Sequence, residues 1–246
     1  MFRRISHICN AGCCLLTAAF VPPNCSETAS SQKTELAAQR ETMVREQIAG
    51  RGITDSATLH AMRAVPRHEF LPLRLRGEAY ADYPLPIGHG QTISQPYIVA
   101  FMTEAIRPRP GDKILEIGAG SGYQAAVLAH TGAEVYTVEI IEPLAEMARQ
   151  NLERLGYKSA RVMHGDGFRG WPEHAPFDAI VVACAPDKIP SNLVAQLKDG
   201  GRMAIPVGGG MEQELILLRK SGGVIENHSV LPVSFVPMTG EAESAK

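Results

Sequence analysis

Residues 113 to 123 read Lys-Ile-Leu-Glu-Ile-Gly-Ala-Gly-Ser-Gly-Tyr, an apolar run that breaks into a glycine-rich turn and then into helix-forming sequence. Gly118, Gly120 and Gly122 allow a sharp backbone turn and remove the Cβ atoms that would hold a ligand at a distance. At the carboxyl end of a strand in an open α/β sheet, such a turn is where ligands bind. A dinucleotide fingerprint asks for Gly-x-Gly-x-x-Gly. Counting from Gly118, the third slot holds Tyr123, so the match to a pyrophosphate site is imperfect. Glu116 stands just before the glycines, and a carboxylate there suits an ammonium or sulfonium better than a pyrophosphate. Glu139, about 20 residues further on, is placed to accept both hydroxyls of a ribose. His164-Gly-Asp-Gly167 ends a third apolar run, with Asp166 able to accept from the exocyclic amine of an adenine and Gly167 permitting close approach. Three successive strand ends therefore spell an adenosine site, which by itself leaves NAD and S-adenosylmethionine both open.

Other reactive side chains carry less. His89 and His164 lie beside glycines, but neither has a neighbour at metal-ligand spacing, and no metal site is expected. Cys184 follows an apolar run and reads as a small core residue. Trp171, the single tryptophan, reads as a packing residue on the loop after Asp166, with nothing in the sequence to distinguish a substrate role for it. Arg67 and His68 either face an acceptor or belong to a solvated loop, and Ala185-Pro-Asp187 falls where an acceptor-side loop is expected.

The elements that must position these groups follow from periodicity. Leu36, Ala37, Met43, Val44 and Ile48 recur at helical spacing from Thr34 until Gly50 and Gly52 end the run. Asp55 can cap a second helix that runs to about Ala64 and is stopped by Pro66. Residues 67 to 94 are rich in Pro and Gly and read as extended, and helical spacing resumes over Gln95–Ile106. Apolar runs at Lys113–Ile117, Val135–Glu139, Arg161–His164, Phe177–Ala183 and Arg202–Val207 then alternate with helix-like segments at Tyr123–His130, Pro143–Leu155 and Ile189–Leu197. Val-, Ile- and Leu-rich runs without strict alternation suit strands buried on both faces, and helical crossovers are what parallel neighbours require. The prediction is a doubly wound, mostly parallel α/β sheet. Glu214–Arg219 and Ser229–Val236, joined by a short Gly-containing connection, read as an antiparallel pair closing one edge, and Gly240–Lys246 as a loose tail.

Composition bounds the function. The chain has 246 residues, 45% of them hydrophobic and 20% charged, which fits one globular α/β domain with an extension. With 24 Lys+Arg against 26 Asp+Glu, no basic excess exists for a general attraction to nucleic acid. Four of the five cysteines, Cys9, Cys13, Cys14 and Cys25, fall in the first 25 residues, so the body is no disulfide scaffold. Arg3 and Arg4 precede an uncharged stretch with an apolar centre at Leu15–Val21, the layout of a secretory signal or weak anchor and too short for a convincing span. The expected organisation is a signal-like leader and linker over 1–33, a catalytic domain over 34–240 and a tail over 241–246.

The run Leu85-Pro-Ile-Gly-His-Gly-Gln-Thr-Ile-Ser-Gln-Pro96, followed by the glycine turn, His-Gly-Asp-Gly and Phe177-Asp-Ala-Ile-Val-Val, closely resembles protein-L-isoaspartate O-methyltransferases. The resemblance extends from about Arg40 to Thr239, with Val65-Pro-Arg-His-Glu-Phe-Leu71 similar to the segment leading into the family's site and Phe235-Val-Pro-Met-Thr239 similar to its closing strand. The Gln-Thr-Ile-Ser-Gln-Pro element is specific, whereas the glycine turn is shared by many methyltransferases. The leader is the main departure. The resemblance implies a Rossmann-like class I methyltransferase fold with an antiparallel edge and S-adenosylmethionine as donor. The implied acceptor is the carboxylate of an L-isoaspartyl residue in damaged proteins and peptides, giving a methyl ester that later closes to a succinimide. It also implies that Ser94 is the active-site serine and that Gln91, Thr92 and Ile93 form with it a lid-like edge over the methionine part of the donor. Gly118, Gly120, Glu139, Asp166, Gly167 and Thr239 match the family's cofactor or substrate contacts.

Methyl transfer to a carboxylate needs no strong base, because an anionic oxygen attacks a carbon held by positive sulfur. Charge is neutralised on the way, so orientation and exclusion of water should supply most of the catalysis. Ser94 then serves to position the acceptor carboxylate rather than as a covalent nucleophile, since a Gly-nucleophile-Gly turn and an ordered base are missing. An ordinary helix N-cap before Pro96 is its plainer alternative. The alternatives for the whole chain are a methyltransferase for another carboxylate, an NAD-dependent oxidoreductase, and a cofactor-binding module without turnover. A monomer is expected, with membrane contact only through the leader. Because S-adenosylmethionine is made in the cytoplasm, a cytoplasmic body is expected, although the leader leaves export or anchoring open.

Overall fold

A computed structural model describes residues 25–210 and 212–244, with side chains from Gln32 onward. The signal-like leader and the extreme tail lie outside the described residues. Of the described residues, those from Leu36 onward form one compact unit, and Cys25–Glu35 belong to a separate one. In chain order the elements are α1 (Cys25–Thr42), α2 (Ser56–Ala64), β1 (Leu85–Gly88), β2 (Gln91–Ile93), α3 (Pro96–Ile106), β3 (Lys113–Ile117) and α4 (Tyr123–His130). There follow β4 (Glu134–Glu139), α5 (Glu142–Arg154), β5 (Ala160–His164), β6 (Phe177–Val182), α6 (Ser191–Gln196), β7 (Leu197–Val207), β8 (Gln213–Ser221) and β9 (Val224–Val233).

Seven strands form one sheet in the order β5-β4-β3-β6-β7-β8-β9. β5, β4, β3, β6 and β7 run parallel, while β8 and β9 are antiparallel to their neighbours. Alternate residues of the central strands enter separate cores on the two faces: Ile114, Val135, Ala179 and Val181 on one, Leu115, Tyr136, Ile180 and Val182 on the other. This explains the unbroken apolar runs, because both faces are covered and neither needs polar residues. α2, α3 and α4 contribute Met62, Val99, Ile106 and Leu128 to the first core, and α6 contributes Leu193 to the second. The chain crosses from one side of β3 to the other between β5 and β6, which opens a crevice at the carboxyl ends of β3, β4 and β6.

Several boundaries differ from the sequence prediction, each for a local reason. The first helix begins earlier, at Cys25, and passes into a π-helical turn over Met43–Ile48, where Met43 and Ile48, five apart, are both buried. Residues 67–94 are not simply extended. They form 3-10 turns at Arg67–Phe70 and Leu73–Glu78 and then a two-stranded hairpin, β1 with β2, whose strands are too short to show alternation. β7 starts five residues early, with an irregular register between Phe177 and Ala179 on β6. β9 starts five residues early as well, immediately after the Gly222-Gly223 turn, where both glycines have positive φ as a tight hairpin demands. The described part of the expected loose tail forms a 3-10 turn at Gly240–Glu243. Asp55 caps α2 as expected, its carboxylate accepting from the Thr58 N–H at 2.7 Å.

Candidate active site

A cleft opens at the crevice, walled by the ends of β3, β4 and β6, the glycine turn, the hairpin edge Gln91–Ser94 and the segment Val236–Thr239. The parallel ladder runs on past the strands to support it: Gly118 N–H donates to Val138 O at 2.8 Å and Ala183 N–H to Ile117 O at 2.8 Å. Gly118, Gly120 and Gly122 all adopt positive φ, so the turn depends on glycine. A Cβ on Gly120 would stand 3.2 Å from Ile87 Cδ1, which shows the β1–β2 hairpin laid directly over the turn. One on Gly122 would crowd Leu152 and Ala148, so this glycine sets the approach of α5.

Glu139 is buried and already oriented: one oxygen accepts from Gly120 N–H at 2.8 Å and the other from Ile141 N–H at 3.0 Å. Each oxygen keeps a further acceptor site toward the cleft. Glu116 is fully buried on the cleft wall with neither oxygen hydrogen-bonded, beside the equally unpartnered hydroxyl of Thr137 in register on β4. Burial, opposed by the neighbouring Thr137 hydroxyl and aided by the Glu139 carboxylate, pushes its carboxyl up to about 8. An unpaired buried carboxylate is costly, and this one faces a cavity that a cation could enter.

The predicted site residues Gln91, Thr92, Ile93, Ser94, Glu116, Gly118, Gly120, Glu139, Gly167 and Thr239 all lie on the cleft wall. Asp166 does not. Its carboxylate accepts from Phe168 N–H at 2.9 Å and from Glu241 N–H at 2.8 Å, so it ties the Gly167 turn to the 3-10 turn at Gly240–Glu243. Gly167 has a packing reason as well as a ligand one, because a Cβ there would collide with Ile117. The closing segment is held by Ala185, whose N–H donates to Val236 O and whose carbonyl accepts from Met238 N–H, both at 2.8 Å. The buried amide of Gln213 clamps Phe235 from the other side, accepting at 2.7 Å and donating at 3.0 Å.

Ser94 is half-buried, and the α3 N-cap position belongs to Gln95, which makes no side-chain cap. The plainer reading of Ser94 as a helix cap is therefore replaced. Thr92, Ser94, Ala183 and Val236 are shared with a second groove, lined by Arg51, Pro84, Tyr97 and Leu231–Phe235. The Arg51 guanidinium stacks over the Tyr97 ring at 3.5 Å and pairs with Asp82 at 2.7 Å. Ser94 thus stands on the partition between two cavities.

Arg67 corrects both sequence readings, solvated loop and acceptor contact. It is wholly buried and donates to the carbonyls of Ala79, Tyr83 and Ser94, the last at 3.0 Å. Burial lowers its guanidinium to about 10, which still leaves it charged at neutral pH. Nothing in the spacing around Pro66-Arg67 signals this, since its partners are backbone carbonyls 12 to 27 residues away. Cys184 lines the cleft, but burial and the Glu139 and Asp166 carboxylates push its thiol up to about 12, so it stays protonated. Trp171 packs edge-on against Tyr136 at 5.6 Å, the packing role expected of it. His89 is exposed at the hairpin tip and His164 is exposed with Nε2 3.2 Å from Ile140 O. Among the described residues no group of three metal-ligating side chains exists. Tyr123 fills the would-be third-glycine position as a buried ring edge-on to Phe70.

Comparison with known proteins agrees with this geometry. The family model described as protein-L-isoaspartate(D-aspartate) O-methyltransferase (PCMT) matches residues 38–243. The protein-L-isoaspartate O-methyltransferase of Gloeobacter violaceus is 57% identical over 201 residues, 81% of this chain and 98% of that protein. That of Opitutus terrae is 54% identical over 204 residues, 82% of this chain and 88% of that protein. Among solved structures, a protein-L-isoaspartate O-methyltransferase superposes with a TM-score of 0.75 at 31% identity, covering 82% of this chain and 67% of that one. A putative protein-L-isoaspartate O-methyltransferase from Plasmodium falciparum, in complex with S-adenosyl-L-homocysteine, gives 0.71 at 25% identity, covering 81% and 98%.

Proposed function

The chain belongs to the protein-L-isoaspartate O-methyltransferase family, and from that premise we propose how its two cavities divide the reaction. The activity is methylation of L-isoaspartyl carboxylates in damaged proteins and peptides with S-adenosylmethionine as donor. The observation that carries the assignment of roles is Ser94 on the wall common to both cavities. The cleft under the hairpin takes the donor, and the groove of Arg51, Tyr97 and Leu231–Phe235 takes the acceptor chain.

The residues of the cleft fit the donor. Glu139, held by two backbone N–H groups, is oriented to receive the ribose hydroxyls. Glu116 offers a carboxylate whose ionised form a cationic ligand would stabilise. Gly167 and Thr239 border the adenine end, with Asp166 behind them as a positioning residue that fixes both backbones. When bound, S-adenosylmethionine supplies a methyl group on positively charged sulfur. The chain's own work is to hold the acceptor oxygen in line and keep water out. The Ser94 hydroxyl, with no described protein partner, donates to the acceptor carboxylate, while Gln91, Thr92 and Ile93 cover the junction. No general base is required, which matches a cleft whose only cysteine is a protonated thiol.

The test is incubation with labelled S-adenosylmethionine and paired isoaspartyl and aspartyl peptides. A base-labile ester on the isoaspartyl peptide alone is expected, and equal or absent labelling would overturn the assignment. Ser94→Ala should remove a charge-assisted hydrogen bond worth about 1.5–3 kcal/mol, lowering kcat by roughly 10- to 150-fold while S-adenosylhomocysteine still binds. We also place the body in the cytoplasm, where the donor is made. No helix of the described residues is long and apolar enough to cross a membrane. Fractionation with N-terminal sequencing of the mature chain tests that placement.

A further inference from the structure

A third groove, of about 890 Å³, lies between the carboxyl-terminal half of α3 and the face of β7, β8 and β9, and shares no residue with the donor cleft. Four arginines converge on it: Arg107 and Arg109 from the loop after α3, Arg202 from β7 and Arg219 from β8. None of the four forms an ion pair with a described residue, although exposed arginines elsewhere in the molecule commonly do.

The carboxylates on the same wall are largely committed to other work. Glu104 accepts from the N–H groups of Thr54 and Asp55, each at 2.7 Å. Asp55 accepts from the N–H and the hydroxyl of Thr58, each at 2.7 Å. Asp112, at the rim, accepts from Arg109 N–H at 2.9 Å. These carboxylates keep their charge but are tied to backbone and hydroxyl donors, and among the three acids lining the groove only Glu226 has no such hydrogen bond, against four guanidinium groups.

Arg202 and Arg219 are moreover direct cross-strand partners, and like charges placed opposite one another destabilise an antiparallel pair. Arg202 is half-buried, and its guanidinium is lowered first by that burial and then by Arg107, Arg219 and Arg109. The partial negative charge at a helix carboxyl end accounts for Arg107, which caps α3. It does not account for two strand arginines facing each other. Glu226 on β9 stands in register with Arg219 and offsets part of this repulsion, but Arg202 has no carboxylate opposite it on β8, and a strand arginine so placed beside a roomy groove is what a missing anion would leave.

We propose that this groove binds a small, multiply charged oxyanion, gripped by the guanidinium forks of Arg107, Arg109, Arg202 and Arg219. Planar guanidinium forks match phosphate and carboxylate oxygens in a bidentate way that ammonium groups cannot. Phosphate and carboxylate ligands share this chemistry, and the two are separated by probe.

The full chain is titrated with inorganic triphosphate and, separately, with citrate, each at constant ionic strength, with Tm and calorimetric heat as readouts. A saturable rise in Tm with one or both is expected, and the tighter of the two names the source. Arg219→Gln, at an exposed position, should weaken binding about tenfold or more. Arg202→Gln should do the same, and both variants should methylate isoaspartyl peptide at the wild-type rate. Absence of saturable binding by either anion overturns the proposal, as does equal binding by the wild type and both variants. Neither result bears on the methyltransfer assignment, which is read from a different site.

Discussion

Ser94 and Arg67 are coupled by one hydrogen bond, from a buried guanidinium to the serine's carbonyl at 3.0 Å. The same guanidinium holds Ala79 and Tyr83, so a single charge fixes the chain before the hairpin and the residue after it. Burying an arginine costs desolvation, and here that cost is offset by hydrogen bonds to carbonyls that would otherwise lie unsatisfied. Arg67→Met should leave those carbonyls without a donor at about 1–3 kcal/mol each where water cannot replace it. Denaturant unfolding would read the loss of stability. Peptide methylation would read a fall in kcat larger than any change in S-adenosylhomocysteine affinity. Arg67→Lys, with one compact ammonium in place of the fork, should recover only part of both. A purely structural Arg67 would move stability and leave kcat per folded molecule unchanged.

At the scale of elements, the cleft is made by short pieces that a regular sheet does not contain. The hairpin β1–β2 lies on the glycine turn through Ile87. The segment Val236–Thr239 is latched by Ala185 and Gln213. The 3-10 turn at Gly240–Glu243 is bound back to Asp166 and, through Glu241, to Arg169. The last of these attachments holds Asp166, the neighbour of Gly167 on the cleft wall. Gly167→Ala should force Ile117 aside at about 1–3 kcal/mol, a loss of roughly 2–4 °C in Tm per kcal/mol for a domain of this size. It should also weaken S-adenosylhomocysteine binding, because the displaced Ile117 is itself a cleft residue. A thermal scan with and without ligand checks both, and an unchanged Tm would contradict the packing account.

For the molecule as a whole, the unpartnered Glu116 links folding, protons and donor binding. The unfolded chain ionises this carboxyl above about 4.5, whereas the folded, ligand-free protein keeps its proton to about 8. Between those values the unfolded state binds fewer protons, so this group's contribution to stability falls as pH rises. A cationic ligand favours the ionised form, so donor affinity should rise with pH up to about 8 and then level off. Calorimetry of S-adenosylmethionine binding between pH 6 and 8.5 would show the trend, and Glu116→Gln should flatten both it and the stability decline. A wild-type affinity independent of pH would rule out Glu116 as the charge partner.

How much of this was legible in the chain depends on the range of the interactions. The parallel strands, the crossover helices, the antiparallel edge and the glycine turn are local patterns, and each stands within about five residues of its expected place. Glu116, Glu139 and Gly167 were readable because a strand end is a position in sequence as well as in space. Residues 67–94 were not readable as turns and a hairpin. Their order comes from Arg67 reaching Ser94 and from Arg154 on α5 donating to Glu69 at 2.8 Å, contacts that leave no periodic trace. Asp166 was legible as a loop acid but not as a latch on Glu241, 75 residues away. The arginine groove likewise joins a helix end to two strands that meet only when the sheet is assembled. Periodicity and glycine placement, which act over one or two turns of chain, determined by themselves the fold class and which strand ends line the cleft. Which side chains are buried, which carboxylates are already spent, and where two cavities meet at Ser94 were decided by tertiary structure, because desolvation and long-range hydrogen bonding exist only once distant segments have packed.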